Sequence, residues 1–260
     1  MKKSFIILVL ASSVLFAFTS CKKDEANNNE TNSETNNEAT PDNSNDGLPI
    51  TIDGDFSDWA ALDASTFVSA KYNPDSPWDA VREIRVCADP DFVYYYIKFN
   101  KEAAEEQLEA KDPLHMRICL NTDGEFTSGY NSYFLDAYDF IIEGSLGDGA
   151  GSWAEFDGTL HQRTYVAEKE KIDWLSLLSP GHNLVMGKGA GIEYEIMLAR
   201  EVFNNAITGS PDPNKPIGDV FHTGLRFYGN GWSELSNMPN DSIEKNEHGW
   251  AHLLQVTTVK

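Results

Sequence analysis

Positive charge is scarce in this chain, which has 20 lysine and arginine residues against 41 aspartate and glutamate residues and a formal net charge of −21. A surface this acidic repels phosphate, so the composition disfavours binding to nucleic acid or to an anionic membrane. The charge is compatible with neutral glycans and with cations. Glycans, cations and protein partners are therefore the ligand classes that the composition leaves open.

Cysteine is also scarce, with three residues in the whole chain. Cys87 and Cys119 both lie in segments that have the pattern of strands. Because cysteine is among the residue types most often buried, two buried free thiols are the favoured interpretation. A disulfide between them, which an oxidising compartment would permit, is the alternative.

Motifs of catalysis are missing. The sequence has no Gly-x-Ser-x-Gly, no His-Glu-x-x-His and no Cys-x-x-Cys. Two glycine-rich stretches, residues 147–151 and 187–191, do not open a helix with the lysine and hydroxyl of a phosphate loop, and we predict that both are loops. With so many acidic residues, a carboxylate pair at glycosidase spacing arises by accident. We predict that the protein is not an enzyme.

The apolar run at the start of the chain, residues 5–18, is too short to span a bilayer. It follows Lys2 and Lys3 and is typical of a secretory signal segment, so we predict a signal peptide at residues 1–20.

The end of this run, Thr19-Ser20-Cys21, resembles a bacterial lipobox, with Phe18 at a position where leucine is usual. The resemblance implies that the thiol of Cys21 carries a lipid and becomes the mature N-terminus. Residues 22–25, two lysines and two acids, resemble the export signal of some Gram-negative lipoproteins. This implies a lipid-anchored protein exposed at the outer membrane surface. An unmodified thiol after an ordinary cleavage site is the alternative.

Residues 21–49 are rich in Asn, Glu, Thr, Ser and Asp and contain almost nothing apolar. Such a segment cannot bury enough surface to offset the entropy of ordering, so we predict a disordered stalk. Residues 50–260 are within the size range of one all-β domain.

A β-hairpin is the clearest pattern in this domain. Residues 83–88 and 92–99 both have the pattern of a strand, with a turn between them. The second strand is apolar on both faces, which predicts a central strand covered on both sides, with Tyr94 and Tyr96 in structural roles.

The rest of the domain is predicted to contain one clear helix, residues 101–110, and short strands separated by turns. We further expect a hairpin formed by residues 153–156 and 159–167, a short helix or turn at 172–178, and one or two helical turns at 200–207. The strand at 192–198 carries Glu193 and Glu195 on its polar face. This pattern predicts an antiparallel β-sandwich with one or two short helices. The remaining predicted strands are residues 114–120, 136–143, 221–228 and 250–259.

The opening of the domain, residues 50–59, combines a short strand, Ile-Asp-Gly, an acidic loop and Asp58-Trp59. This pattern resembles the opening of carbohydrate-binding module family 9-like domains and of the related DOMON-like domains. The resemblance implies a β-sandwich that binds sugars in most members and haem in some DOMON-like ones.

Oxygen-bearing side chains follow the strand at 114–120. Asn121 and Asp123 alternate along a loop, and Asp139 lies close behind. Calcium is bound by several such oxygens held by a turn, and in the resembled domains a loop of this type takes part in binding it. We therefore predict a structural calcium site here. An Asx turn without an ion is the alternative.

Two tryptophans lie in polar, turn-rich loops where burial is difficult. Trp78 lies in residues 73–79 and Trp232 in residues 229–234. Because sugar rings stack on flat aromatic side chains, both are candidate carbohydrate-binding residues, together with Tyr228 and Asn230. Three of the other tryptophans are assigned to the core: Trp59, Trp174 and Trp250. Trp153 could belong to the core or to a binding surface.

The leading hypothesis is a surface-exposed lipoprotein that binds glycans without catalysis through a calcium-stabilised β-sandwich. One alternative is a protein–protein interaction module in an outer-membrane complex. Another is a haem-binding redox module of the DOMON-like kind, with His115 and Met116, or His161 and Met186, as ligands. A His or Met in an alternating strand is more often an ordinary structural residue.

Overall fold

The fold is known from a computed structural model. It describes residues 47–110, 114–122, 124, 138–156, 158, 185–200, 217–240 and 253–260, and the backbone alone of the strands within 159–183. The predicted signal peptide, Cys21 and nearly all of the predicted stalk lie outside the described residues. The described residues belong to one compact unit, Ser44–Lys260. Within them, no helix has the length and apolar character needed to cross a membrane.

The predicted antiparallel β-sandwich with short helices is confirmed. The strands, in chain order, are β1 (Val68–Lys71), β2 (Val81–Ala88), β3 (Phe92–Phe99), β4 (His115–Asn121), β5 (Phe140–Ser145), β6 (Thr159–Val166), β7 (Lys169–Ser176), β8 (Leu178–Ser179), β9 (His182–Asn183), β10 (Val185–Ala190), β11 (Glu193–Ala199), β12 (Val220–Tyr228), β13 (Glu234–Met238) and β14 (Leu254–Thr257). The helices are α1 (Ser57–Ala61), α2 (Lys101–Glu109) and a single 3-10 turn, Asn230–Trp232.

Two antiparallel sheets form the sandwich. Sheet 1 has the order β1-β2-β3-β11-β10, and sheet 2 has the order β13-β12-β4-β5-β6-β7, with β14 also paired to β12. Strands β8 and β9 form a separate two-stranded sheet. The apolar faces of the two sheets pack together, because alternate residues of each strand point to the same side.

The predicted β2–β3 hairpin and the central position of β3 are confirmed. Tyr95 and its alternate neighbours along β3 point into the core between the sheets. Tyr94 and Tyr96 point to the other side, where they are buried with Ile50 and Trp59. The opening segment of the domain therefore covers the outer face of sheet 1, which explains why β3 is apolar on both faces.

One buried carboxylate holds this opening segment in place. Glu195 accepts hydrogen bonds from the backbone nitrogens of Asp53 (2.9 Å) and Gly54 (2.7 Å), and from the indole nitrogen of Trp59 (3.1 Å). The residue is fully buried. Burial raises the pKa of the Glu195 carboxyl to about 7, although the three donors act in the opposite direction.

The end of β11 is fixed by a buried arginine. Arg200 Nη1 donates to the Asp89 carbonyl and to Thr258 Oγ1, both at 2.7 Å. Nη2 donates to the carbonyls of Ile217 and Gly218, both at 2.9 Å. These bonds join the β2–β3 turn, the approach to β12 and the C-terminal segment.

Both cysteines of the domain are buried and neither forms a disulfide, as favoured by the sequence. Cys87 packs in the cluster outside sheet 1. Cys119 packs with Tyr138 and Ile141 outside sheet 2. Because the two thiols lie on opposite outer faces of the sandwich, they cannot form a disulfide with each other.

Helix α2 is confirmed within one residue of its predicted end. Its N-cap is Asn100, whose side chain accepts from the backbone nitrogen of Glu102 at 3.2 Å, which satisfies one of the free donors of the first turn. Ala104 and Leu108 are its buried residues. The helix therefore packs one side on the core.

Three local predictions were wrong. Residues 187–191 were predicted to be a loop, but most of them belong to the edge strand β10. Residues 172–178 were predicted to be a short helix or turn, but most lie in β7, which pairs with β6. The expected hairpin between residues 153–156 and 159–167 does not form, because β6 pairs with β5 and β7, and Trp153 bridges to Gly147 instead. Of the predicted helical turns at 200–207, only the first residue is described.

The error at β10 has a steric cause. A Cβ atom on Gly189 would lie 2.5 Å from both the Trp153 and Tyr194 rings, and one on Gly187 would lie 2.7 Å from Phe156. Glycine is required at these positions because aromatic rings cross the strand, and not because the chain turns. From the sequence alone, glycines required by a turn cannot be distinguished from glycines required by close packing.

Candidate functional site

The outer face of sheet 2 carries polar and aromatic side chains above the core. Met116 and Ile118 of β4 point into the core, so His115 and Arg117 point outward. Tyr228 of β12 lies directly opposite His115 in the sheet register. On the other side of β4, the partners in β5 are Ser145 for His115 and Glu143 for Arg117. Cross-strand neighbours of this kind lie about 5 Å apart, close enough for direct contact.

Trp232 reaches this face from the 3-10 turn that follows β12. The turn is closed by backbone hydrogen bonds from Trp232 to the Gly229 carbonyl (3.0 Å) and from Gly229 to the Ser233 carbonyl (2.8 Å). Gly231 has φ of 64° and Trp232 has φ of 61°. Glycine adopts this left-handed conformation freely, but tryptophan does so at an energetic cost of about 1–2 kcal/mol. Among the residues that the structure describes, Trp232 is the one non-glycine residue with positive φ.

The indole of Trp232 stacks flat on the His115 ring. The ring centroids are 4.4 Å apart and the planes differ by 3°. The Tyr228 ring lies 5.5 Å away at a tilt of 53°. Even with these contacts, 44% of the Trp232 surface is exposed. His115 therefore covers one face of the indole.

Arg117 completes the group. Its guanidinium carbon lies 5.0 Å from the centre of the Tyr228 ring and 5.1 Å from that of Trp232, which are cation–π distances. Nε donates to Glu143 at 2.5 Å, and Nη1 lies 3.5 Å from the Tyr228 hydroxyl. We call the five residues His115, Arg117, Glu143, Tyr228 and Trp232 the aromatic platform.

A second ion pair lies beside the platform. Arg226 of β12 is directly opposite Arg117 in the register. Its Nη1 lies 3.5 Å from Glu234, and the arginine is almost fully buried. Like charges placed opposite each other in a sheet are unfavourable. The carboxylates of Glu143 and Glu234 offset that repulsion.

Of the four residues predicted to bind carbohydrate, the structure brings three together. Trp232 and Tyr228 belong to the platform, and Asn230 lies exposed in the same 3-10 turn, where its carbonyl accepts from Ser233 Oγ at 3.0 Å.

Trp78 lies at a different place. It is half-buried, and its carbonyl accepts from Ser236 Oγ (3.3 Å) and Asn240 Nδ2 (3.0 Å). Ser236 is the middle residue of β13 and Asn240 follows its end, whereas Trp232 precedes the start of that strand. The structure therefore associates the backbone of Trp78 with the middle of β13 and the segment after it.

Sequence reasoning missed Arg117 and Glu143 and considered His115 only as a haem ligand. For His115 and Arg117, the sequence did contain evidence that they lie together. Residues 115 and 117 occupy the polar positions of a strand whose alternate residues are apolar, and so they had to share its outer face. The pairing with Glu143 and Tyr228 depends on sheet order, which local sequence does not encode.

His115 and Met116, one of the two pairs of haem ligands considered from the sequence, point to opposite faces of β4. His115 stacks on Trp232 outside the sheet, whereas Met116 is buried in the core between the sheets. Adjacent strand residues point to opposite faces, so these two side chains cannot ligate one iron. The side chain of His161 lies outside the described residues.

The other tryptophans with described side chains have structural roles. Trp59 is buried, as predicted. Trp153 is half-buried between the rings of Phe99 (5.2 Å) and Tyr194 (5.3 Å), and its indole nitrogen donates to the Gly191 carbonyl. The side chains of Trp174 and Trp250 are outside the described part of the chain.

The predicted calcium-binding residues lie at the end of β4. Asn121 Oδ1 accepts from the Gly124 nitrogen at 2.9 Å, and Asp139 Oδ2 accepts from the Thr122 nitrogen at 2.7 Å. Asp123 lies outside the described residues. Where side chains are described, no three His, Cys, Asp or Glu residues come together in a way that could hold a metal ion. Calcium binding by Asn121, Asp123 and Asp139 stays a prediction.

Comparison of the chain with models of known protein families gives no match, and comparison with curated proteins gives none either.

Proposed function

We propose that this domain binds carbohydrate without chemical conversion, on the aromatic platform around Trp232. The observation that carries the proposal is the placement of Trp232 in a strained left-handed backbone conformation with 44% of its surface exposed. Neither the exposure nor the strain stabilises the fold. Strained backbone of this kind clusters at ligand sites, where the conformation serves binding.

The platform has the chemistry that sugar recognition requires. A pyranose ring offers an apolar face of C–H groups that packs on a flat aromatic side chain, and an edge of hydroxyls that need hydrogen-bond partners. Trp232 supplies the flat surface, supported by His115. Glu143, Arg117 and the Tyr228 hydroxyl supply acceptors and donors nearby.

The platform is also rigid before any ligand arrives. Trp232 contacts two aromatic rings and a guanidinium, and the guanidinium is itself held by Glu143. A preorganised surface loses little conformational entropy on binding, which favours affinity for a flexible glycan.

We infer from the sequence that Cys21 carries a lipid anchor and that residues 21–49 act as a stalk holding the domain at the outer membrane surface. An anchored module on a flexible stalk can sample an area around its attachment point, which suits capture of glycans. Calcium at Asn121, Asp123 and Asp139 would stabilise the fold and take no part in chemistry.

The direct test is binding of the purified full chain to a panel of neutral glycans by calorimetry. We expect the wild type to bind at least one glycan, and Trp232→Ala to weaken that binding about tenfold or more, because it removes the stacking surface. Val220→Ala is the matched control. Val220 is also an exposed apolar residue on β12, but it lies at the opposite end of that strand from the platform.

Circular dichroism and thermal unfolding of both variants verify that the fold is intact. Binding to none of the glycans would overturn the proposal. Equal loss of affinity in Val220→Ala and Trp232→Ala would show that glycans do not bind at the aromatic platform.

A protein partner is the second candidate. Trp, Tyr and Arg are the residues that most often dominate protein–protein interfaces, and the platform contains one of each. This candidate predicts that a defined outer-membrane partner binds the full chain, that Trp232→Ala abolishes the binding, and that no glycan competes.

A further inference from the structure

The cation that lies over the Trp232 ring is already paired. Arg117 Nε donates to Glu143, and its guanidinium lies beside both the Tyr228 and the Trp232 rings. The side chains of Arg117 and Glu143 are 27% and 22% exposed, so a ligand on the platform can reach this ion pair. The ligand would meet a guanidinium and a carboxylate side by side.

A second cation, beside the platform, is too deeply buried for a ligand to reach. Arg226 is only 2% exposed, and Glu234 lies 3.5 Å from its Nη1. The platform and the ion pair beside it thus hold two arginines and two glutamates, whose charges balance. The chain as a whole carries −21.

An anionic ligand would be disfavoured on such a surface. A carboxylate or sulfate at the edge of Trp232 would lie near Glu143 and would either compete with it for Arg117 or be repelled by it. Repulsion by the net charge of the chain acts in the same direction. Like-charge contacts of this kind are a common means of excluding the wrong partner.

A neutral sugar meets no such penalty. A hydroxyl can donate to Glu143 while a neighbouring hydroxyl accepts from Arg117, so that both members of the pair keep charge-assisted hydrogen bonds.

We propose that the Arg117–Glu143 ion pair determines specificity at the platform, so that neutral sugars are bound and sugars carrying a carboxylate or sulfate are rejected. This inference rests on the proposed glycan-binding function.

Matched polymer pairs that differ only in charge provide the test. Suitable pairs are methyl-esterified and de-esterified galacturonan, cellulose oligosaccharides and their C6-oxidised forms, and dextran and dextran sulfate. Affinities of the full-length wild type are measured for both members of each pair. We expect the neutral member of the bound pair to bind about tenfold or more tightly than the charged one.

The variant that isolates the cause is Glu143→Gln, which preserves shape but removes the negative charge. Its affinity for the charged member should rise about tenfold, so that the discrimination is largely lost. Glu83→Gln is the control. Glu83 pairs with Arg85 at 2.9 Å on sheet 1 with similar side-chain exposure, 18% and 24%, but away from the platform. This control should leave the discrimination unchanged.

Salt dependence gives a second readout that needs no variant. Because salt screens exposed charges, raising the salt concentration from about 0.02 M to about 0.5 M should reduce the discrimination of the wild type. A wild type that binds charged members as well as neutral ones, or a Glu143→Gln variant with unchanged discrimination, overturns this inference alone. Binding to no polymer of any pair overturns the proposed function and this inference with it.

Discussion

The indole nitrogen of Trp59 donates a hydrogen bond to the Glu195 carboxylate at 3.1 Å, across 136 positions of the chain. The other carboxylate oxygen accepts from the backbone nitrogens of Asp53 and Gly54. A single side chain of β11 therefore fixes both the turn and the helix of the opening segment. This segment in turn covers the outer face of sheet 1.

Replacing the carboxylate should weaken the fold. Glu195→Leu leaves three donors without their acceptor in a buried place, and each buried unsatisfied donor costs about 1–3 kcal/mol. We expect a loss of about 3 kcal/mol in the free energy of unfolding, measured by urea denaturation. Glu106→Leu, an exposed change of the same chemistry on α2, should stay within about 0.5 kcal/mol of the wild type. Equal stability of the two variants would contradict the role assigned to Glu195.

Glu195 should also make stability depend on pH. Its folded-state pKa is raised to about 7, above the ordinary value of 4.5. The folded state therefore binds a proton more readily than the unfolded state between these values, and linkage makes stability fall as the pH rises through them. The contribution is fully present below pH 4.5 and lost once the pH has passed about 7.

Glu195→Gln removes the titrating carboxyl group and keeps the shape of the side chain. The difference in unfolding free energy between wild type and Glu195→Gln should fall from pH 4.5 to about pH 7 and be constant on either side. Urea denaturation at several pH values measures it. A difference that does not change with pH would show that Glu195 has the same pKa in the folded and unfolded states.

The sequence predicted elements whose evidence is local. Alternation of apolar and polar residues was enough for β2, β4, β11 and β12, and it placed Glu195 on the polar face of its strand. The two apolar faces of β3 were enough to predict a central strand. The burial of Glu195 was not predictable, because its donors lie 136 to 142 positions away. A local pattern reports which face a residue occupies, but it does not report what covers that face.

The same limit applies to the platform. Trp232 and Tyr228 were identified because polar, turn-rich sequence surrounds the tryptophan. Arg117 and Glu143 were not, because only the order of β12, β4 and β5 in sheet 2 places them beside it.

A methyl group on Gly189 should be poorly tolerated. Its Cβ would lie 2.5 Å from Trp153 and Tyr194, inside the packing of both rings. We expect Gly189→Ala to lower the free energy of unfolding by about 1–3 kcal/mol, as overpacking does. Gly218→Ala is the control, since its Cβ would meet its nearest neighbour at an ordinary 3.7 Å. Thermal unfolding of the two variants measures the difference in stability. Equal melting temperatures would contradict the packing described for β10.

Calcium should stabilise the fold if Asn121, Asp123 and Asp139 bind it. We expect the melting temperature of the full chain to rise with calcium and to fall when a chelator is added, because an ion that binds only the folded state shifts the unfolding equilibrium. Asp123→Ala should abolish the increase. A melting temperature that is the same with calcium and with chelator would identify the segment as an Asx turn without an ion.

The backbone at position 232 should favour glycine over alanine. Trp232→Gly and Trp232→Ala both lose the contacts with His115 and Tyr228, so their difference in stability reports the backbone alone. With φ of 61°, Trp232→Gly should be more stable than Trp232→Ala by about 1 kcal/mol in urea denaturation. Both variants should lose glycan binding.

The same pair of changes at position 78 provides the control for this prediction. Trp78 has no positive φ, so there the greater backbone freedom of glycine in the unfolded chain should make Trp78→Gly less stable than Trp78→Ala, by about 0.4–1 kcal/mol. The sign of the glycine–alanine difference should therefore reverse between the two sites. If alanine were preferred at both, the conformation of Trp232 would be unstrained, and its exposure alone would support the binding site.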